Sequence, residues 1–183
     1  MARVSIKKKQ NGGAPLPKDK NIILMKLSDL DLSAFPARDA KGIKITGNIT
    51  LTEGLKALGI EVTQRTISRT DNSDGPTDGK AMIQEISFEY PGDDLEVNEF
   101  LHEWLNEEIL AISKDCGDGK GTRLHGTPCN PLEMKVESQD SEEGIKKTIT
   151  LTSPQRGLPS AHYYGDLPEL ADPAAEGSEG GGL

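Results

Sequence analysis

Residues 43–52 read IKITGNITLT, and apolar and polar side chains alternate one by one along this stretch. The apolar set is Ile43, Ile45, Ile49 and Leu51, with Gly47 in the same register, and the polar set is Lys44, Thr46, Asn48, Thr50 and Thr52. A period of two places the two sets on opposite faces of a β-strand. Because one face is apolar and the other polar, the pattern predicts a strand of an antiparallel sheet with one buried and one solvated face.

Further stretches on both sides of this one also have strand character. Residues 21–27 (NIILMKL) form a short apolar run that is typical of a strand buried on both faces. Residues 80–90 alternate again, with Gln84 as a polar exception on the apolar side. Residues 132–138 and 145–152 alternate on either side of a short polar link and predict a β-hairpin.

One segment has a helical period. Between residues 95 and 112, apolar residues recur at spacings of three and four: Val97, Phe100, Leu101, Trp104, Leu105, Ile109 and Ile112. The opposite side is acidic, and Asp94 is a suitable N-cap. The sequence thus predicts a mainly β (α+β) fold, an antiparallel β-sandwich or small barrel with one flanking amphipathic helix over about residues 95–112.

The two ends of the chain differ from its centre in composition. Residues 1–20 contain six basic residues and one acidic residue, with glycines and prolines between them, whereas residues 154–183 are rich in glycine and proline. Such segments are too polar and too interrupted to bury a core of their own. We therefore predict an N-terminal arm at 1–20, a β-rich domain at 21–153 and a C-terminal arm at 154–183.

Composition narrows the class of protein. The formal charge of −9 disfavours a nucleic-acid binder that works by neutralising phosphates. No apolar stretch has the length of a membrane helix or the position of a signal peptide, so no membrane partner is predicted. The two cysteines, Cys116 and Cys129, are too few for a disulfide scaffold; free thiols are the simplest interpretation, and one bridge or a metal remains open.

Candidate chemical sites are weak. Cys116, His125 and Cys129 share one loop, but their spacing does not match a structural zinc site. Residues 115–122 (DCGDGKGT) lack the spacing of a P-loop and the final glutamate of an EF-hand. Residues 71–79 (DNSDGPTDG) are typical of a surface turn. We predict no catalytic residue, no metal and no cofactor, and hence a protein that is not an enzyme.

The order of these elements is informative as a whole. An N-terminal arm precedes the strand IKITGNITLT, the strand KAMIQEISFEY leads through PGDD into the helix LEVNEFLHEWLNEEILAIS, and the hairpin LEMKVESQDSEEGIKKTITLTS follows. Over residues 21–153 this order resembles the major tail tube proteins of long-tailed bacteriophages and of related contractile injection systems. The resemblance implies a virion protein, made in the host cytoplasm, whose stacked hexameric rings form a channel for DNA. Its implied partners are further copies of itself, other tail proteins and the DNA that passes through without specific binding.

The resemblance also implies roles for particular side chains. The polar face of an inner strand would line the channel or meet the next subunit, and two sets qualify: Thr46, Asn48, Thr50 and Thr52, or Thr148, Thr150 and Thr152. Apart from the resemblance, the basic triplet Lys7, Lys8 and Lys9 is most simply part of a solvated arm, and the alternative is an electrostatic contact of this arm with the acidic surface of an identical neighbour. Two alternatives stay open: another virion component, such as a tail terminator or head decoration protein, and a monomeric ligand-binding β module that uses loop 116–130.

Overall fold

The structure, a computed structural model of the chain, describes residues 5–8, 13–117, 121–142 and 144–172. Its strands are β1 (Asn21–Lys26), β2 (Lys44–Ile45), β3 (Leu58–Glu61), β4 (Ser68–Asp74), β5 (Ala81–Pro91), β6 (Ile109–Ser113), β7 (Arg123–His125), β8 (Glu133–Ser141), β9 (Gly144–Thr152) and β10 (Ala161–Tyr163). The α-helix α1 spans Leu95–Trp104, and three short 3-10 turns occur at Leu27–Asp29, Leu32–Ala34 and Gln64–Thr66.

The strands form two sheets. One has six strands in the order β2-β10-β7-β6-β1-β3, and the other has four in the order β4-β5-β9-β8. Neighbouring strands are antiparallel except for the parallel pair β2 and β10. This arrangement confirms the predicted mainly β fold with two sheets and one helix, and the described residues form no closed barrel.

The main core lies between the two sheets. The four-stranded sheet contributes Ile86, Phe88, Ile149 and Leu151, the six-stranded sheet contributes Ile22, Leu24, Ile109 and Ala111, and α1 contributes Val97, Leu101 and Trp104. Burial of each large aliphatic or aromatic side chain stabilises the fold by about 1.5–3 kcal/mol. The helix therefore closes one side of the sandwich, as its apolar stripe predicts.

The predicted helix ends earlier than its pattern indicates. It begins after Asp94 as expected but stops at Trp104, and the residues predicted as its last turns form β6. All five residues of β6 are buried, because β1 and β7 flank it and each sheet face is covered by apolar side chains. The spacing of Ile109 and Ile112 fits a helix, but a continuous apolar run can bury all of its side chains in a central strand that is covered on both faces.

The stretch 43–52 also differs from its prediction, since only Lys44–Ile45 is a strand. Of the set predicted to be buried, Ile45 and Ile49 are buried against the outer face of the six-stranded sheet and Leu51 is half-buried, whereas Ile43 is exposed. The backbone finds other partners, because the N–H of Ile49 donates to the Tyr163 hydroxyl at 3.1 Å. The segment thus covers a sheet face without extending the sheet as a long strand.

The predicted C-terminal arm is in part a component of the domain. Within it, β10 lies between β2 and β7 of the six-stranded sheet, and both Ala161 and Tyr163 are buried. Its prolines and glycines exclude long strands but not a strand of three residues. Residues 173–183 lie outside the described residues. Of the N-terminal arm, Lys18 forms a β-bridge with Asp115, whereas residues 5–8 are exposed.

Candidate functional site: the polar face of the four-stranded sheet

The four-stranded sheet turns one face to the core and the other to solvent. Gln84, Ile86 and Phe88 of β5 point inward, so the residues between them point outward, and the strand register extends this parity to β4, β9 and β8. We call the outward set the polar face: Ser68, Thr70, Asn72, Asp74, Ala81, Ile83, Glu85, Ser87, Glu89, Lys146, Thr148, Thr150, Thr152, Glu133, Lys135, Glu137 and Gln139. All of these residues except Ala81 and Ile83 are polar or charged.

One of the two predicted polar sets lies in the middle of this face. Thr148, Thr150 and Thr152 all belong to β9, which has β5 on one side and β8 on the other. The Thr150 hydroxyl lies 3.2 Å from that of Ser87 on β5, and β-branched threonine suits such cross-strand contacts. Hydroxyl groups therefore run along the central strand of a solvated sheet face.

The polar face is acidic. It carries five carboxylates (Asp74, Glu85, Glu89, Glu133 and Glu137) and two lysines (Lys135 and Lys146), for a formal charge of −3. Lys135 bonds Glu137 at 2.7 Å, and Lys146 bonds Glu89 at 2.8 Å. The hydrogen bond and charge of Lys135 lower the pKa of Glu137, so that carboxylate stays ionised at neutral pH. A polyanion passing this surface would be repelled more than held.

The two outer edges of the four-stranded sheet have no partner strand among the described residues. Ser141 pairs with Gly144 across a two-residue connection, and such a closing pair exchanges both of its backbone hydrogen bonds. Alternation along β8 then directs the backbone groups of Val136, Ser138 and Asp140 away from β9, toward the open edge. Long open edges of this kind are the usual sites for pairing with another chain.

The other predicted set lies on the opposite side of the molecule. Thr46, Asn48, Thr50 and Thr52 are exposed, but their segment covers the outer face of the six-stranded sheet. The Asn48 amide is occupied within the subunit, since it donates to the Asp166 carboxylate at 2.9 Å and accepts from the Asp166 N–H at 2.9 Å. The structure does not bring the two threonine sets together.

The basic triplet is only partly described. Lys7 and Lys8 are exposed, and Lys9 lies outside the described residues. No ion pair involves Lys7 or Lys8 in the part of the chain that the structure describes. The interaction predicted for this triplet stays a prediction.

Strand β4 was not predicted from the sequence, because residues 71–79 were assigned to a turn. Only the latter half of that range is a turn, because β4 continues to Asp74 and pairs residue by residue with β5. Its sequence, SRTDNSD, is polar on both faces and so has no apolar period to reveal it. The one usable signal was its position before β5, which pairs with it through a hairpin.

A serine and a histidine meet in the interior without forming a catalytic pair. The Ser113 hydroxyl lies 3.0 Å from His125 Nε2, and each residue is only 1% exposed. Burial, which opposes the charged form, lowers the pKa of His125 from 6.5 to about 3. Such an imidazole is a weak base, and no substrate reaches it. Cys116 and Cys129 are both exposed and form no disulfide.

The buried His125 makes stability depend on pH. The unfolded chain binds a proton at this ring near pH 6.5, but the folded chain does so only near pH 3, so stability falls as pH falls below 6.5. Because of this ring, we expect the free energy of unfolding to fall with a slope approaching about 1.4 kcal/mol per pH unit as the pH is lowered from about 6 to about 5. Urea unfolding at several pH values measures it.

The matched variant for this measurement is His125→Gln, whose amide retains a group able to bond Ser113. It should show a shallower slope than the wild type. The pKa of His162 is also lowered by burial, but His162 is present in both proteins and cancels in the comparison. Equal slopes in the two proteins would contradict the burial of a neutral ring.

No family model matches this chain, and neither a curated protein nor a solved structure is similar to it. Among the described residues, no three His, Cys, Asp or Glu side chains cluster closely enough to hold a metal ion. The one described α-helix, with ten residues, is too short to cross a bilayer. The polar face and its open edges are the surface features to which a function can be related.

Proposed function

We propose that this protein is a structural subunit that assembles with copies of itself into stacked rings, as the tail tube of a bacteriophage. The observation that carries the proposal is the four-stranded sheet, which is solvated and acidic on one face and, among the described residues, has no partner strand at either outer edge. A sheet with two open edges finds its missing hydrogen bonds on the corresponding edges of neighbouring copies.

The strand directions favour ring closure. Each strand of the sheet is antiparallel to its neighbours, so β4 and β8 at the two edges run in opposite directions. When a second copy is placed beside the first, its β8 runs antiparallel to β4 and continues the ladder. This contact is heterologous, and the twist and curvature of sheets allow such repeated contacts to close into a ring.

We assign the polar face to the inner surface of the ring, where it would line the channel. A continuous sheet closed into a ring has one face inside, and the apolar face of each subunit is already occupied by its own core. The inner surface would then carry the hydroxyl groups of Thr148, Thr150 and Thr152 and a net negative charge. DNA in such a channel meets repulsion of like charge, which lets it move without adhering.

The monomeric binding module has less support. Its proposed ligand loop, residues 116–130, contains β7, which is paired on both sides within the six-stranded sheet. The backbone groups of Thr127 and Asn130 bond each other at the end of that loop. These contacts tie the described part of the loop after residue 121 to the fold of its own subunit.

Negative-stain electron microscopy of the purified full-length chain tests the proposal. We expect rings and stacks of rings, with stacking favoured at higher protein concentration. Single rings that never stack would instead favour a terminator or decoration protein. Dispersed monomers at high concentration, confirmed by sedimentation, would contradict assembly altogether.

A further inference from the structure

We propose that the N-terminal residues 2–7 of one copy add as a strand to the open edge of β3 on a second copy. The inference rests on the self-assembly proposed above, and it assigns a receptor site to the basic arm. That site is a groove of about 580 Å³ between β3, the start of α1 and the end of the described chain. It lies on the six-stranded sheet, apart from the polar face.

The groove is apolar at its base. Leu58, Ile60 and Val62 line one side, and Tyr90, Val97 and Phe100 line the other. Ile60, Val62 and Val97 belong to the main core, so the groove is an opening onto that core along its edge. A segment that inserted alternate aliphatic side chains here would extend the core.

Within the part of the chain that the structure describes, β3 has unpaired backbone groups at its outer edge, beyond the bridge between Ala57 and Leu170. The N–H of Val62 points to β1, where it bonds the carbonyl of Lys20, whereas the N–H of Ala57 points the other way and bonds the segment after β10. By the same alternation, the backbone groups of Gly59 and Glu61 face the open edge. No described strand pairs with that edge of β3.

The N-terminal sequence has the matching pattern. Ala2, Val4 and Ile6 alternate with Arg3, Ser5 and Lys7, which is the pattern of a strand with one apolar and one polar face. Ile6 is 96% exposed, and residues 5–8 do not line the groove of their own subunit. Six extended residues span about 20 Å, more than enough to follow the four residues of β3.

Charge selects this arm over the other end of the chain. The rim of the groove carries Glu61, Glu96 and Asp172. Lys20 pairs with Glu61 and Lys56 pairs with Asp172, whereas Glu96 forms no ion pair among the described residues and complements the cationic arm. Residues 173–183, which follow directly from Asp172, contain two glutamates and no basic residue. The acidic rim repels that tail and attracts residues 1–9, which contain four basic residues and no acidic one.

Directed cross-linking of full-length chains tests the inference. In a parent protein with Cys116→Ser and Cys129→Ser, one population carries Ser5→Cys and a second carries Glu61→Cys. After the two are mixed under assembly conditions, we expect a short bismaleimide to join them into a two-chain product. The control population carries Thr50→Cys, an exposed site on another surface, and should give little product with Ser5→Cys.

Variants of the arm test its apolar face. Val4→Asp combined with Ile6→Asp should lower the two-chain yield about tenfold or more, because two aliphatic side chains lose their burial. The matched control is Ser5→Asp, which introduces a carboxylate on the other face of the same segment. Because residue 5 is then not available for the reporter cysteine, this control is made in a chain that carries Lys7→Cys. A yield that depends equally on both faces would contradict strand addition.

The outcomes separate this inference from the proposed function. Rings without cross-linking between Ser5→Cys and Glu61→Cys would overturn the arm site and leave the ring proposal standing. Cross-linking only within single chains that carry both cysteines would also overturn it, since the arm would then occupy its own subunit. Cross-linking between chains without rings in the micrographs would support the arm site and contradict the tube.

Discussion

A Ser138→Pro variant is expected to fold but to form no rings or tubes. Ser138 lies in β8, and alternation along the hairpin directs its backbone N–H to the open edge rather than to β9. Proline removes that N–H and places its ring where the partner strand must approach, as edge prolines do in natural sheets. Because every ring contact uses the same edge, one substitution affects all of them, and electron micrographs should show only unassembled subunits.

Ser138→Ala is the control for this variant. The Ser138 hydroxyl accepts a hydrogen bond from Lys147 Nζ at 3.4 Å, and alanine removes that contact but keeps the backbone N–H. The alanine variant should assemble like the wild type. Tubes formed by Ser138→Pro, with circular dichroism showing a folded chain, would contradict the edge-to-edge ring.

A Gln84→Ala variant is expected to lose about 2–4 kcal/mol of unfolding free energy. Gln84 is 2% exposed, and its amide donates to the Leu158 carbonyl at 2.8 Å and accepts from the Gly126 N–H at 2.8 Å. The side chain thereby joins the four-stranded sheet to the end of β7 and to the segment before β10. Alanine leaves two backbone groups without these bonds and opens a cavity.

Urea unfolding of two further variants separates these causes. Gln84→Leu fills most of the volume but satisfies neither backbone group, so it should recover only the part of the loss that the cavity causes. Glu85→Ala changes the adjacent outward residue and should alter stability by about 0.5 kcal/mol or less. A Gln84→Leu variant as stable as the wild type would show that the two hydrogen bonds contribute little.

Gln84 illustrates that the alternation of side chains predicts a strand but not the long-range partners of its residues. A continuous apolar run correctly predicted β1, and alternation correctly predicted β5 and the hairpin of β8 and β9, because each strand has one or both faces against a core. The same pattern marked Gln84 as an exception but did not identify its partners. Leu158 and Gly126 are 74 and 42 residues away along the chain, so only the folded arrangement places them beside the amide.

The candidate site was also predicted in part. From the sequence we predicted either Thr148, Thr150 and Thr152 or the polar set of residues 43–52, without a choice between them. Both sets alternate with buried aliphatic residues, so their local patterns are equivalent. They differ in their neighbours: β9 is hydrogen-bonded on both sides, whereas residues 46–52 cover the face of another sheet. Which strand pairs with which is a long-range property that a period of two does not encode.

The amino-acid sequence alone determined the class of fold, the presence of a single helix and its start after Asp94. The fold class and the helix follow from side-chain periods, which act over a few residues. The Asp94 side chain makes no capping hydrogen bond and instead accepts one from the Tyr90 hydroxyl at 2.9 Å. Tertiary structure alone decided that residues 109–113 become a strand and that residues 161–163 join a sheet. The physical reason is that burial and backbone pairing depend on residues that are distant in sequence. An apolar run or a proline-rich segment therefore adopts the conformation in which those residues can pack against it and form hydrogen bonds with it.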